Sequence, residues 1–213
     1  MEAGKLKLIV FDCDGVLFDS REANRRYYNH LLEKFGRPRM DEEELEYVHT
    51  HNADLATRHI FRSYQTDAER AEAYRRGVDY TPFLKYMEME PGLKEFLSLA
   101  RRRYRTAIST NRTTTMPAVL EMSGLGPFFD LIITALDVAN PKPHPEALLR
   151  ILEHFGLRAE EGIFIGDSEV DRQHSAAVGM EMIAFRNASL SAEYHADSFG
   201  EVARLPMFPD SRG

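Results

Sequence analysis

The run Leu8-Ile9-Val10-Phe11 ends abruptly in Asp12-Cys13-Asp14, and that junction constrains the fold more than any other stretch of the chain. Four consecutive apolar residues form the pattern of a strand buried on both faces, as in a parallel sheet covered by helices. Two aspartates spaced i, i+2 on extended chain project to one side, with Cys13 pointing away as a small apolar side chain. Unpaired carboxylates buried there would be costly. In an open α/β sheet, ligands bind in the crevice beyond the carboxyl ends of the strands, so these acids stand where a ligand or metal should bind. Gly15 permits the turn that follows.

Three further short apolar runs share this character, Thr106 to Ser109, Leu131 to Thr134 and Ile163 to Ile165, with a fifth strand expected at Met182 to Phe185. Helix-like stretches separate the later ones: Pro117 to Ser123, Pro145 to Phe155 with Gly156 behind it, and Val170 to Val178 with Gly179 behind it. Such alternation predicts an α/β fold, a Rossmann-like parallel sheet joined by right-handed crossovers. From about Ser20 to Met89 the alternation stops and helical spacing takes over, as in Tyr27, Leu31, Leu32 and Phe35, then Leu55, His59, Ile60 and Tyr64. The chain is therefore expected to divide into an α/β core, residues 1–19 and 90–213, and a small helical cap, residues 20–89, inserted after the first strand. Pro91-Gly92 marks the return, and the tail after about Pro206 is expected to fray.

Hydrophobic residues make up 43% of the 213, enough for a packed interior. A net charge of -7, from 34 acidic against 27 basic residues, argues against sequence-independent binding to a nucleic acid polymer or an anionic membrane, both of which favour a basic face. The single Cys13 excludes an internal disulfide, no apolar h-region follows Met1, and no apolar segment approaches membrane-spanning length. A cytoplasmic location is the expectation.

Polar residues follow the later strands as well: Ser109-Thr110-Asn111, then Lys142 within Asn140-Pro141-Lys142-Pro143-His144-Pro145, then Gly166-Asp167-Ser168-Glu169-Val170-Asp171. Strand ends of one parallel sheet converge on one edge, so Asp12, Asp14, Thr110, Lys142, Asp167 and Asp171 are expected to share a crevice. Each alone has a plainer explanation. Lys142 would be a surface lysine, Thr110 a turn residue, Asp167 or Ser168 a helix N-cap. Arg101-Arg102-Arg103 ends a helix, where positive charge complements the dipole.

In this order, and with a helical insertion directly after the first, the four segments are similar to the signature motifs of the haloacid dehalogenase superfamily of phosphohydrolases. Thr110-Asn111, the KPHPE run from Lys142 and the GDS run from Gly166 resemble the phosphoglycolate phosphatase-like branch. The resemblance implies a phosphatase acting on a small phosphorylated metabolite. In the mechanism it implies, Asp12 attacks phosphorus to give an aspartyl-phosphate, Asp14 serves as acid and then base, Thr110 donates to a phosphate oxygen, and Lys142 neutralises charge on the transferring group. It also implies Mg²⁺ held by Asp12, the Asp14 backbone carbonyl and Asp167, with Asp171 on the ion or just behind it. A charge count calls for such an ion: three carboxylates and a phosphate ester sum to roughly -5 against +1 from Lys142.

Asn111 and Arg112 are substrate-binding candidates, Arg112 standing where such sequences tend to carry lysine. His49, His51 and Asn52 occupy the stretch where relatives carry a glycine-rich loop that contacts the leaving group, so they are candidates for substrate selection, although His51 or Asn52 also suits a helix N-cap. Asn24 aligns with a position that could contact Asp14. The chain is expected to act as a monomer or weak homodimer. Three alternatives are kept. A hexose-phosphate mutase of the β-phosphoglucomutase type resembles the chain in cap position, but such sequences tend to carry an acidic residue where this chain has Gly166. A non-catalytic phosphate-binding protein would have kept the fold and lost turnover. A DxD glycosyltransferase would leave Lys142 and GDSEVD without a role.

Overall fold

The structure is a computed structural model that describes residues 4–51 and 53–208. The chain forms two compact units, Met1–Phe18 with Met89–Gly213 and Asp19–Glu88. In chain order the elements begin with β1 (Leu8–Phe11), β2 (Phe18–Asp19), α1 (Arg21–Lys34), α2 (Glu42–Thr50), α3 (Ala53–Ile60), α4 (Gln65–Arg75), β3 (Glu88–Met89), α5 (Leu93–Ala100) and β4 (Arg105–Ser109). There follow α6 (Met116–Ser123), β5 (Leu131–Ile133), α7 (Glu146–Phe155), β6 (Gly162–Gly166), α8 (Glu169–Ala176), β7 (Glu181–Phe185), β8 (Tyr194–Ala196) and α9 (Phe199–Val202).

Six strands of the first unit form one sheet in the order β5-β4-β1-β6-β7-β8, with every neighbouring pair parallel. The chain runs from β1 outward through β4 and β5, then crosses to β6 on the other side of β1. Phe11 pairs with Ile108 of β4 and with Ile165 of β6, so Asp12 emerges between two neighbours at the point where the strand order reverses. That switch point is where an open α/β sheet leaves a crevice. Burial on both faces explains the unbroken apolar run of β1. Leu8 and Val10 pack with Ala107, Phe164 and the Leu148, Ile151 and Leu152 face of α7. On the other face Phe11 meets Phe96 and Phe129 edge to face at 6.2 and 5.7 Å, pairs that contribute about 1 kcal/mol each beyond area burial.

The α/β fold is as expected, with two differences. Tyr194-His195-Ala196 forms a sixth parallel strand at the sheet edge, too short and too polar to stand out in sequence, and it exists because β7 offers it a partner. The chain does not fray at Pro206. Met207 and Phe208 are buried, and Phe208 packs edge-on against Phe96 and Tyr104; the rest of the tail, 209–213, lies outside the described residues.

The second unit is helical. Its core gathers Tyr27, Tyr28, Leu31 and Leu32 of α1 with Leu45, Ala56, Ile60 and Phe61. The apolar face of α3 is rotated from its expected position. Leu55 is exposed, and Ala56, Thr57 and Ile60 turn inward, because Tyr47 stacks flat between the rings of His51 and His59 and draws that side of the helix outward. A capping box of Asp41 and Glu44 starts α2. Where the chain passes between the units, β2 and β3 pair as a short two-stranded sheet.

Candidate active site

Asp12 leaves β1 with its backbone N–H still in the ladder, donating to the Ile165 carbonyl at 2.9 Å. Its Oδ1 accepts from the Cys13 N–H at 2.6 Å and faces the Lys142 ammonium at 2.8 Å. The same ammonium donates to Asp171 Oδ1 at 2.6 Å. Oxygens of Asp12, Asp167 and Asp171 lie within 4.8 Å of one another. Residues 12, 142, 167 and 171 therefore form one cluster, brought from the ends of β1 and β6, the start of α8 and the loop before α7.

Each member is held from behind. Asp171 Oδ2 accepts from the Ser168 hydroxyl at 2.7 Å and from the Asp167 and Ser168 backbone N–H groups at 3.3 Å, while Ser168 caps α8 by accepting from the Asp171 N–H. The N-cap position of Ser168 and the placing of Asp171 in the cluster are thus one motif. Asn187, just past β7, donates to the Asp167 carbonyl at 2.8 Å. Sequence reasoning missed it, although it stands at a strand end like the others. Asn111 exchanges two hydrogen bonds with the Lys142 backbone, at 3.0 and 3.1 Å, which fixes the loop that carries the lysine.

His174 anchors the same loop from α8. Its Nδ1 lies 2.8 Å from the His144 carbonyl, which can only accept, so Nδ1 carries the proton and Nε2 accepts from the Ser109 hydroxyl at 3.0 Å. Burial, with Lys142 nearby, lowers the imidazole from 6.5 to about 4. A folded value below the unfolded one means that His174 contributes fully above pH 6.5 and that this contribution is lost as pH falls toward 4, by up to about 3 kcal/mol. His174→Gln should therefore flatten the loss of stability between pH 7 and 4.5, read from urea midpoints; an unchanged slope would reject the assignment.

Two glycines make the close approach possible. Gly15 has φ +77°, and a Cβ there would lie 2.0 Å from Asp167 Oδ2. A Cβ at Gly166 would lie 2.5 Å from the Asp171 Cβ. Gly15→Ala is expected to cost about 2 to 4 kcal/mol through strain and displacement of Asp167. Urea unfolding checks this, and a loss below about 0.5 kcal/mol, the range of an ordinary surface substitution, would contradict it.

Asp14 stands apart from that cluster in its partner. Arg112, whose side chain is 8% exposed, donates to Asp14 Oδ1 at 2.6 Å and to the Thr115 hydroxyl at 3.2 Å. Sequence reasoning left Arg112 beside the substrate and did not foresee this ion pair. Thr110 is buried at the end of β4, where its hydroxyl accepts from the Arg112 N–H at 3.1 Å. Within the helical unit, Asn24 accepts from the Tyr80 hydroxyl at 2.7 Å and its amide faces His49 Nδ1 at 3.4 Å. His51 follows α2 as its C-cap and stacks on Tyr47 at 3.8 Å. Asn52 lies outside the described residues.

The cluster is electrostatically unbalanced. Burial raises the Asp12 carboxyl to about 7 against the pull of Lys142, with Asp171 and Asp14 adding to the rise. Burial likewise raises Asp167 to about 8, with Asp12 and Asp171 adding. Burial works against the Lys142 ammonium, yet Asp12 and Asp171 together hold it above the ordinary lysine value. One ammonium does not neutralise three converging carboxylates, and all-oxygen donors suit a hard divalent cation. Cys13 is buried beneath, and burial pushes its thiol far up, so it is inert.

The model of the haloacid dehalogenase-like hydrolase family matches residues 9–185. The chain is 30% identical to a phosphoglycolate phosphatase of Aliivibrio fischeri, covering 92% of this chain and 91% of that protein. It is 27% identical to the pyrophosphatase PpaX of Bacillus pumilus, covering 84% and 82%. A solved structure of a HAD-superfamily hydrolase, subfamily IA, variant 1, from Geobacter sulfurreducens matches with a TM-score of 0.84 at 39% identity, covering 96% of this chain and 98% of that one. The chain belongs to the haloacid dehalogenase-like hydrolase family. Within that family it is a phosphatase-type enzyme, resembling the phosphoglycolate phosphatases.

Proposed function

We propose that the chain hydrolyses a small phosphate monoester through a phosphorylated Asp12, with Mg²⁺ as cofactor. The observation that carries this reading is the buried Lys142 ammonium bridging Asp12 and Asp171 at the end of β1, with Asp167 alongside. In the first step an Asp12 carboxylate oxygen attacks phosphorus, the ester P–O bond breaks, and Asp14 gives its proton to the leaving oxygen. In the second, Asp14 takes a proton from water, the water oxygen attacks phosphorus, and the bond to Asp12 breaks to release phosphate. Lys142 and Thr110 meet the charge on the phosphoryl oxygens. Asp12, Asp167 and the Asp14 carbonyl would hold the cation, with Asp171 directly behind; the ion supplies charge neutralisation of the transferring group.

Asp14 is ion-paired with Arg112 at rest, so the acid step requires Arg112 to let go, and an incoming phosphate dianion offers it a stronger partner. Asn111 is a positioning residue for Lys142. The helical unit is read as a cap, with His49, His51 and Asn52 as candidates for selecting the leaving group. The similarity to a phosphoglycolate phosphatase makes phosphoglycolate the first substrate to try, and that to a pyrophosphatase makes pyrophosphate the second. The lack of room for a side chain at Gly166 supports hydrolysis over the mutase alternative. The single buried thiol suits a cytoplasmic setting; among the described residues no helix is long and apolar enough to cross a membrane.

The test is phosphate release from a panel of monoesters and pyrophosphate, with Mg²⁺ or excess chelator. Chelation should stop turnover and Mg²⁺ restore it, and Asp14→Asn should lose roughly 10² to 10⁴-fold in kcat. Full activity in chelator would overturn the metal assignment, and a loss below about tenfold in Asp14→Asn would overturn the acid–base role.

A further inference from the structure

The opposite edge of the sheet carries a different chemistry. Beyond the amino ends of β1, β4 and β5 lies a depression of about 550 Å³ lined, among the described residues, by Lys7, Arg101, Arg102, Arg103 and Arg105 and by one acid, Asp130. Its volume is that of a small-molecule site. Lys7 directly precedes β1 and Asp12 directly follows it, so strand length alone separates this depression from the acidic cluster by roughly 16 Å.

Complementing the α5 dipole accounts for Arg101 to Arg103, but not for Lys7 and Arg105, which the parallel register brings from two neighbouring strands. The walls are stiffened. Arg101 lies over the Phe128 ring at 5.7 Å and Arg105 over the Phe155 ring at 5.9 Å, which reduces the ordering cost of gripping an anion. Lys7 is paired with Glu161 at 2.6 Å and Arg105 with Asp130 at 3.4 Å. Arg102 and Arg103 make no ion pair with the described residues. After both pairings a surplus of about three positive charges stays concentrated here, on a chain whose net charge is -7.

We propose that this depression binds an oligophosphate, two or more linked phosphates, at a site separate from the active site. Guanidinium forks match phosphate oxygens in pairs, and cations from both strands and the helix end suit a chain of phosphates better than one. Free polyphosphate and a nucleotide share this chemistry.

Calorimetric titration in chelator with inorganic triphosphate and with ATP tests the proposal, since without metal the acidic cluster repels both probes. Wild type should bind each at one site, Arg102→Ala/Arg103→Ala should weaken binding at least ~30-fold, and Asp167→Asn should leave it within about twofold. Lys7→Ala, from another element, should weaken it about fivefold and provides a second variant should the double one melt early. Tighter binding of ATP assigns a nucleotide; equal binding assigns the phosphate chain alone. The proposal is overturned if neither probe saturates by about 1 mM, if binding survives the arginine substitutions, or if Asp167→Asn abolishes it.

Discussion

Asp12→Asn is expected to lower phosphate release by roughly 10⁴-fold or more while leaving the protein folded. An amide oxygen is a poor nucleophile toward phosphorus. The substitution separates chemistry from folding because the two effects have opposite signs. Burial holds the Asp12 carboxyl at about 7, well above an unfolded aspartate, so its ionised form costs the folded state stability at high pH. A neutral isostere removes that cost, and in chelator at pH 8 the variant should melt at the wild-type temperature or above it. Activity above about a tenth of wild type in a sample shown by mass spectrometry to be free of deamidation would reject Asp12 as the nucleophile.

Lys142→Met should have the largest effect on stability. The lysine side chain is 4% exposed and lies between Asp12 and Asp171 at 2.8 and 2.6 Å. Removing one partner of a buried ion pair costs about 3 to 5 kcal/mol because the remaining charge stays buried. Here two carboxylates are left facing each other, with Asp167 beside them. The deficit is largest above pH 8 and shrinks as pH falls, because buried carboxyls with raised values take up protons that unfolded aspartates release. Urea midpoints for wild type and variant at pH 8.5 and pH 6 measure this, and a deficit that grows toward acid would contradict it. Millimolar Mg²⁺ should recover part of the loss in the variant, since the cation takes over the neutralising role.

Much of this arrangement is legible in the chain before it folds. Apolar runs ending in polar residues mark five of the six strands of the main sheet, and the parallel rule then brings Asp12, Lys142, Asp167 and Asp171 to one edge without any contact being known. Glycine and proline positions bound the helices between them. Where periodicity alone was available the result was weaker: Ile60 and Tyr64 join the helical core as the spacing predicts, but Leu55 is exposed and Ala56 and Thr57 are buried in its place, with aromatic stacking of His51 and His59 on Tyr47 alongside. β8 was invisible because a three-residue edge strand has no pattern of its own, only a partner.

Sequence by itself determined which chemical groups stand at the strand ends and in what order, because a buried strand and its turn are set by a few adjacent residues. Only the tertiary structure decided how those groups pair. Nothing local to Arg112 specifies Asp14, nothing near Asn187 specifies the Asp167 carbonyl, and nothing in a run of arginines specifies Lys7 and Arg105 as companions. Those pairings join residues as many as 98 positions apart in the chain, and they arise from strand register and helix packing, which depend on the whole core closing at once.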